Sequence, residues 1–366
     1  MKKYIYHTTV MGIFGLLALS GCNNEVAAPD TELVPISFNT NLPTAAVASM
    51  TRATTFTNGD KVGIVAANVA TESPLPAASG WLTSNLYLNH EVGTIGNATW
   101  EHGYLEYPIS LSSVKYWPFE PNKYLGFVAY SPIPSVESRI TRPTSDMNLT
   151  VQNGTAGSFF PDLLYTNVVG NYNKSRVSVL LDFKHAMAKL VVRVIAVDQD
   201  GNVLSSGHPV NQLRITSLIV NTKVTQGSFN LVSSQWTLAN PAGGAASQTA
   251  YTLVSPTGTP ATIPYDNSTT STSYLLPQTA GVNTVALSSL VFKVKDTSID
   301  TEVGGEYTLD QFKQLDETPV TLEMGKTTVL LVKLQYTAIP PITPTIKIEG
   351  QLVEWDYKGT STVVIE

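Results

Sequence analysis

The chain runs to 366 residues, too many for one ordinary core, so length points to two domains. Only 14% of residues are charged while 43% are hydrophobic, with 22 prolines and 25 glycines spread throughout; this fits an exported, turn-rich β protein and excludes a disordered chain. A net charge of −6 with no basic run beyond the N-terminus excludes nucleic acid as a partner, and a single cysteine excludes a disulfide within the chain.

The first element is a targeting signal. Met1-Lys2-Lys3 supplies positive charge, and Val10 to Leu19 is an apolar run too short to span a bilayer, which takes about 20 residues. The run ends at Leu19-Ser20-Gly21-Cys22, which resembles the lipobox of bacterial lipoproteins. That resemblance implies removal of residues 1–21 and acylation of Cys22, whose thiol would take the lipid. Two or more acyl chains hold a protein on a membrane where one does not. Asn23 to Thr31 then reads as a polar tether.

Short strands with turn signals between them follow. Val34-Pro35-Ile36-Ser37-Phe38-Asn39 alternates, so Val34, Ile36 and Phe38 share one strand face. Burying those three side chains is worth about 5–8 kcal/mol. Pro35 cannot donate a ladder bond, which places this strand at an edge or Pro35 where its nitrogen faces solvent. Arg52, between Thr51 and Ala53, sits in a loop-like context. Asn58-Gly59-Asp60 is a turn leading into the run Lys61–Ala67. Further strand-like segments lie at Leu86–Leu88, Val114–Pro118 and Leu125–Ser131, and a polar Gly/Asn stretch at Asn167–Lys174 suggests a domain break near Ser175. Two apolar runs, Arg176–Phe183 and Ala186–Val197, flank Lys184-His185, and Asp198 to Asn202 closes the second with a hairpin-like turn. Leu213–Val220, Gly227–Leu231, Thr327–Gln335, Thr345–Glu349 and Thr362–Ile365 complete the series, with residues 233–280 reading as a Ser/Thr/Pro/Gly stretch. The pattern predicts an all-β chain of β-sandwich type.

Taken in order, these pieces resemble the fimbrillin (Mfa-like) subunits of surface pili. The resemblance is carried by the lipobox, Ile36-Ser37-Phe38, Thr51-Arg52-Ala53, Phe56 with Asn58-Gly59-Asp60, Tyr116-Trp117-Pro118, and Phe127 to Pro132. It continues through Asp162-Leu163-Leu164, Phe183 to Leu190, and Trp355-Asp356. It implies two transthyretin-like β-sandwich domains in tandem, with a signal peptide at 1–21 and a tether and removable first strand at 22–52. The domains would span 53–174 and 175–366. It also implies an outer-membrane lipoprotein and cleavage between Arg52 and Ala53 by an arginine-specific protease. Polymerisation with other pilin subunits by strand exchange would follow, serving adhesion to a host or bacterial surface ligand. The removable strand would be the one bearing Val34, Ile36 and Phe38. The donor would come from the C-terminal region, either at Ile346 and Ile348 or at Val363 and Ile365. The competing expectation is a monomeric surface lipoprotein that binds glycans, which needs no cut at Arg52.

The residues give no sign of catalysis, cofactor or metal. Gly325-Lys326-Thr327 resembles part of a phosphate loop but lacks its first glycine and leads into a strand. Asp198-Gln199-Asp200-Gly201 lacks the closing glutamate of a calcium loop. His185, inside an apolar run, reads as a satisfied core histidine. Of the five tryptophans, packing suits most, leaving Trp81 and Trp236 as loop positions open to a sugar ring.

Overall fold

The architecture follows from short β-branched and aromatic runs cut by turns. A computed structural model describes residues 33–40, 56–69, 81, 86–101, 104–120, 122–153, 160–175, 178–204, 213–222, 226–238, 249–254, 261–262, 271–277, 287–296, 301–308, 322–335 and 345–354. Among the described residues every named element in the chain order is a strand. The first half holds β1 (Phe38–Thr40), β2 (Lys61–Val69), β3 (Leu86–Ile95), β4 (Thr99–Glu101), β5 (Tyr104–Leu111), β6 (Tyr124–Ser131) and β7 (Asn148–Gln152). Then come β8 (Leu164–Thr166), β9 (Val169–Tyr172), β10 (Val179–Leu180), β11 (Phe183–His185), β12 (Ala188–Val197), β13 (Leu213–Thr222), β14 (Gln226–Asn230) and β15 (Gln235–Leu238). The remainder are β16 (Thr249–Val254), β17 (Ala261–Thr262), β18 (Ser271–Leu275), β19 (Leu287–Asp296), β20 (Thr301–Thr308), β21 (Lys326–Gln335) and β22 (Thr345–Glu354).

These strands form four sheets. The largest has the order β10-β1-β5-β3-β2-β6-β8-β11, with β4 added on β5 and β9 on β6. The others run β18-β12-β21-β22, β16-β13-β19-β20 with β17 on β13, and β15-β14-β7. The stretch 233–280, which reads as irregular in sequence, contains β15 to β18. Its polar alternation suits strands with one solvated face, a weaker signal than an apolar run.

Period-two geometry distributes β2 and β6 between two cores. Ile64, Ala66, Phe127 and Ala129 point into one, together with Ile36 and Phe38. Val65, Ala67, Val128 and Tyr130 point into the other, which also takes Phe229, Phe292 and Leu330 from later sheets. A strand buried on both faces reads as a continuous apolar run, which is why Val62–Ala67 and Leu125–Tyr130 stand out in the sequence. The turn before β2 is fixed by Asp60, whose carboxylate accepts from the Thr57 amide at 2.8 Å and the Thr57 hydroxyl at 2.9 Å. Gly59 takes φ 98° there, a conformation that favours glycine.

The halves of the chain interlock. β7 pairs with β14 from Asn148↔Asn230 to Gln152↔Gln226, and the Tyr165 and Phe229 rings meet at 4.8 Å. β10 and β11, which follow Ser175, are strands of the largest sheet, and the chain changes sheets at β12.

Candidate functional site

The segment Val34–Thr40 lies inside the largest sheet. Val34 and Ile36 bracket Pro35, which faces Tyr116 in an isolated antiparallel bridge. The bonds around that bridge belong to the neighbours: the Ile36 amide donates to Lys115 O at 2.8 Å and the Trp117 amide to Val34 O at 2.9 Å. Pro35 is exposed and sits where the ladder needs no N–H, so the second of its two expected placements is the one observed, and β1 is not an edge strand. Phe38, Asn39 and Thr40 pair antiparallel with Ile109, Pro108 and Tyr107 of β5. On the other side Phe38 and Asn39 pair parallel with Val179 and Leu180 of β10. The Val179 amide donates to Ser37 O at 2.9 Å and the Leu181 amide to Asn39 O at 2.8 Å.

The two faces of this segment differ. On the inner face Ile36, Phe38 and Thr40 are buried and Val34 packs at the margin of the same core. The Phe38 ring stands edge-on to Phe127 with centroids 5.5 Å apart, and Trp117 meets Phe127 at 5.9 Å from another side. The Thr40 hydroxyl is fully buried with no hydrogen-bond partner among the described residues. On the outer face Pro35 and Ser37 are exposed. Asn39 is half-buried, and its Nδ2 donates to Glu106 Oε2 at 2.8 Å. Glu106 itself is 7% exposed. Around β1 therefore lie a floor of aromatic rings, the paired edges of β5 and β10, and the Glu106 carboxylate.

Val34, Ile36 and Phe38 thus share a face as the alternation predicts. Ile346 and Ile348 lie on β22, opposite Leu334 and Val332 of β21 at the outside of the four-stranded sheet. Cys22, Arg52, Ala53, Val363 and Ile365 lie outside the described residues.

The tryptophans fall out differently from expectation. Trp81 is fully buried, and Trp236 is buried with its indole N–H donating to Ala186 O at 2.7 Å, so neither offers a ring to a sugar. Among the described tryptophans Trp100 is the exposed one, at 70%, on the short strand β4. Its neighbours Thr99 and Glu101 are polar, and Thr99 is exposed as well.

The remaining polar motifs are structural. His185 Nδ1 lies 3.0 Å from Asp162 Oδ1, a half-buried pair that satisfies the histidine. The Asp198 carboxylate accepts from the amides of Asp200 and Asn202 and from the Asn202 side chain, at 2.8–3.0 Å. Those bonds from Asn202 first, then from the backbone, hold its pKa below the usual carboxylate range and make it a hairpin clamp. Gly325, at φ 70°, turns the chain directly into β21, where Thr327 and Thr328 are buried. Among the described residues no three His, Cys, Asp or Glu side chains gather as a metal site.

Sequence reasoning missed the walls of the site. β5 carries Pro108 in mid-strand, which argues against a strand. The ladder there uses the Pro108 carbonyl, which accepts from the Gly96 amide at 2.8 Å. β10 is only two residues long, hidden within the run Arg176–Phe183, and the role of Glu106 depends on a pairing that no local pattern announces.

The sequence profile of the fimbrillin-like family matches residues 51–348. No curated protein sequence matches the chain. Among solved structures, a proposed cell adhesion protein from Bacteroides uniformis is similar at 14% identity and a TM-score of 0.51, covering 88% of this chain and 98% of that one. A fimbrial assembly protein from Parabacteroides distasonis aligns at 12% identity and a TM-score of 0.41, covering 88% and 96%. The fimbrial anchor protein Mfa2 from Porphyromonas gingivalis aligns at 11% and 0.35, covering 87% and 99%. The first of these likenesses concerns the fold alone. The profile match spans most of the chain, and with the all-β architecture it leads to one conclusion: this chain belongs to the fimbrillin-like family, whose members are structural pilus proteins and not enzymes.

Proposed function

We propose that this chain is a structural subunit of a cell-surface pilus, delivered to the outer membrane as a lipoprotein through Cys22 and serving adhesion. An arginine-specific protease cuts between Arg52 and Ala53, the segment bearing Val34, Ile36 and Phe38 departs, and a strand from another subunit takes its place. The donor lies in the C-terminal region, at Ile346 and Ile348 or at Val363 and Ile365. The body is two tandem β-sandwich domains with the boundary near Ser175. The observation that carries this reading is the seating of β1: three residues between two strands, with its apolar side chains on an aromatic floor. A short strand held by side chains can leave, and the edges it exposes template another. The description of the first solved structure, a proposed cell adhesion protein, supports the same reading.

Electron microscopy of Arg52→Ala beside the parent, each treated with the protease, tests it. The parent is expected to form filaments and the variant to remain folded, uncut and monomeric. Filaments from the variant would place the switch elsewhere. Loss of acyl label in Cys22→Ser checks the anchor in the same preparation.

A second reading rests on Trp100, whose ring is open to solvent. A monomeric surface lipoprotein could stack that ring on a sugar. Quenching of tryptophan fluorescence by glycans, lost in Trp100→Ala, together with no filaments from the parent, would favour it.

A further inference from the structure

We propose that an exposed apolar patch formed by Tyr87, Val114, Tyr116 and Phe119 docks on a lipid surface, and that it does so only while the chain is tethered to that surface through Cys22. The partner is the boundary between lipid headgroups and acyl chains. This inference deepens the lipoprotein reading and rests on it.

The four side chains are between 37% and 65% exposed. Backbone contacts bring them together. Tyr116 faces the exposed Pro35 across the isolated bridge, and the Tyr87 hydroxyl donates to Tyr116 O at 2.6 Å. Val114 stands two residues before Tyr116, and Phe119 follows the buried pair Trp117-Pro118. Trp117 pins this stretch, with its ring against Phe127 and its amide donating to Val34 O at 2.9 Å. The patch therefore stands on backbone that is already ordered, so docking costs little further entropy. Large apolar side chains exposed side by side mark contact with a protein or a membrane.

Chemistry and position select the membrane. Lys115 Nζ lies 2.8 Å from Glu91 Oε1, so the cation within the patch is compensated. At the rim the exposed Arg142 donates to Asn89 O at 3.1 Å and to Asn89 Oδ1 at 2.9 Å, two residues along β3 from Tyr87. Burial first, and then the Glu120 carboxylate, hold the Tyr87 phenol above its ordinary pKa, so that ring meets the lipid uncharged. Tyrosine rings favour the headgroup boundary, and a rim with one guanidinium and one carboxylate matches zwitterionic headgroups. Position supplies the other argument. Cys22 precedes Val34 by 12 residues, a stretch that reaches at most about 40 Å, and Val34 is bonded to Trp117 beside the patch. A lipid on Cys22 thus keeps the patch near the surface at an effective concentration on the order of millimolar. A contact of four side chains, too weak to hold the free chain, suffices at that concentration. Cutting between Arg52 and Ala53 removes the tether and the docking with it.

The test uses the processed chain beginning at Cys22, whose sole thiol is coupled to a maleimide lipid in vesicles of phosphatidylethanolamine and phosphatidylglycerol. Coupling is kept sparse, so that most vesicles carry a single chain. Amide hydrogen exchange is compared with that of the same chain coupled to a soluble maleimide. Residues 86–92 and 112–120 are expected to exchange severalfold more slowly on the vesicles, with residues 148–152 of β7 unchanged. Val114→Ser/Tyr116→Ser/Phe119→Ser is expected to lose this protection and to keep the exchange pattern of the parent elsewhere. The Cys22→Ser chain, mixed with the same vesicles, is expected to stay in solution on sedimentation. No slowing in the coupled parent, or equal slowing in the triple variant, would overturn the proposal. Slowing that appears only at dense coupling would assign the patch to a second copy of the chain instead. Slowing that rises steeply with the phosphatidylglycerol fraction would replace apolar docking with charge attraction. A Cys22→Ser chain that sediments as fully as the coupled one would overturn the dependence on the tether. The coupling is chemical, so these results are separate from the acyl-label test: label persisting in Cys22→Ser refutes the anchor, and absent protection refutes the patch.

Discussion

β1 and β21 are both interior strands of alternating or continuous apolar sequence, yet they are held by different means. β21 pairs along its whole length with β22 and, from Thr327 to Gln335, with Lys189–Val197 of β12, so its backbone is committed on both sides through nine of its ten residues. β1 pairs over three residues with β5 and two with β10, helped by one bridge at Pro35. What β1 lacks in ladder it makes up with side chains, above all Phe38 against Phe127 and the Asn39–Glu106 bond. The ladder therefore does more to hold β21 and the side chains do more to hold β1, so the two strands should respond differently when the chain is cut.

The strongest way to sharpen that contrast is a matched pair of truncations. Leu330→Ala in β21, a fully buried side chain, is expected to cost about 3–5 kcal/mol in denaturant unfolding, in nicked and uncut chains alike. Phe38→Ala is expected to cost a similar amount in the uncut chain and, once the chain is nicked, to release the first strand outright on gel filtration. Retention of the strand would mean that its ladder holds it after all. A chain beginning at Ser175 probes the same contrast on a larger scale. It is expected to keep β-type circular dichroism and a cooperative melt, at a lower midpoint. The lost contacts are β7 against β14, Tyr165 against Phe229, and the partners of β10 and β11. An unfolded fragment in every buffer would count against a boundary there.

A smaller effect comes from His90 on β3. Burial first, and then the nearby Arg142 cation, push its pKa down to about 4, well under its ordinary value. The unfolded chain therefore binds a proton near pH 6.5 that the folded chain refuses until about pH 4. Stability from this group is present above pH 6.5 and declines as pH falls through that window. His90→Asn, which tolerates the φ of 56° at this position, is expected to flatten the melting midpoint between pH 6.5 and 4. An unchanged slope would exclude His90 as the source. The smallest effect is expected at Trp100. Trp100→Ala should change stability by less than about 0.5 kcal/mol, because its side chain lies mostly in solvent. A larger loss would show that β4 carries packing its exposure conceals.

What the sequence reveals of this molecule tracks how local the controlling physics is. Strands buried on both faces, β2, β6, β12 and β21, show as apolar runs, and the turn at Asn58-Gly59-Asp60 shows as turn chemistry. The shared face of Val34, Ile36 and Phe38 follows from alternation alone. β5 is hidden because Pro108 breaks the local rule while its carbonyl still serves the ladder. β15 to β18 are hidden because polar alternation looks like loop. Glu106 and β10 are illegible for a deeper reason: they become part of the site only by lying beside a strand far away in the chain. Trp81 and Trp100 exchange their expected roles because exposure is a property of packing, and the composition around them is polar in both cases.

The parallel seat of β1 beside β10 also sets an order of events. Phe38 is synthesised well before its partners, Ile109 of β5 and then Val179 of β10. Closing loops of that length makes such pairings slow compared with hairpins like β14–β15. From loop length alone, β1 is expected to wait unpaired while hairpins form and to be enclosed late. Whatever acts on the segment Val34–Thr40 during that interval meets it open; whatever acts afterwards meets it closed.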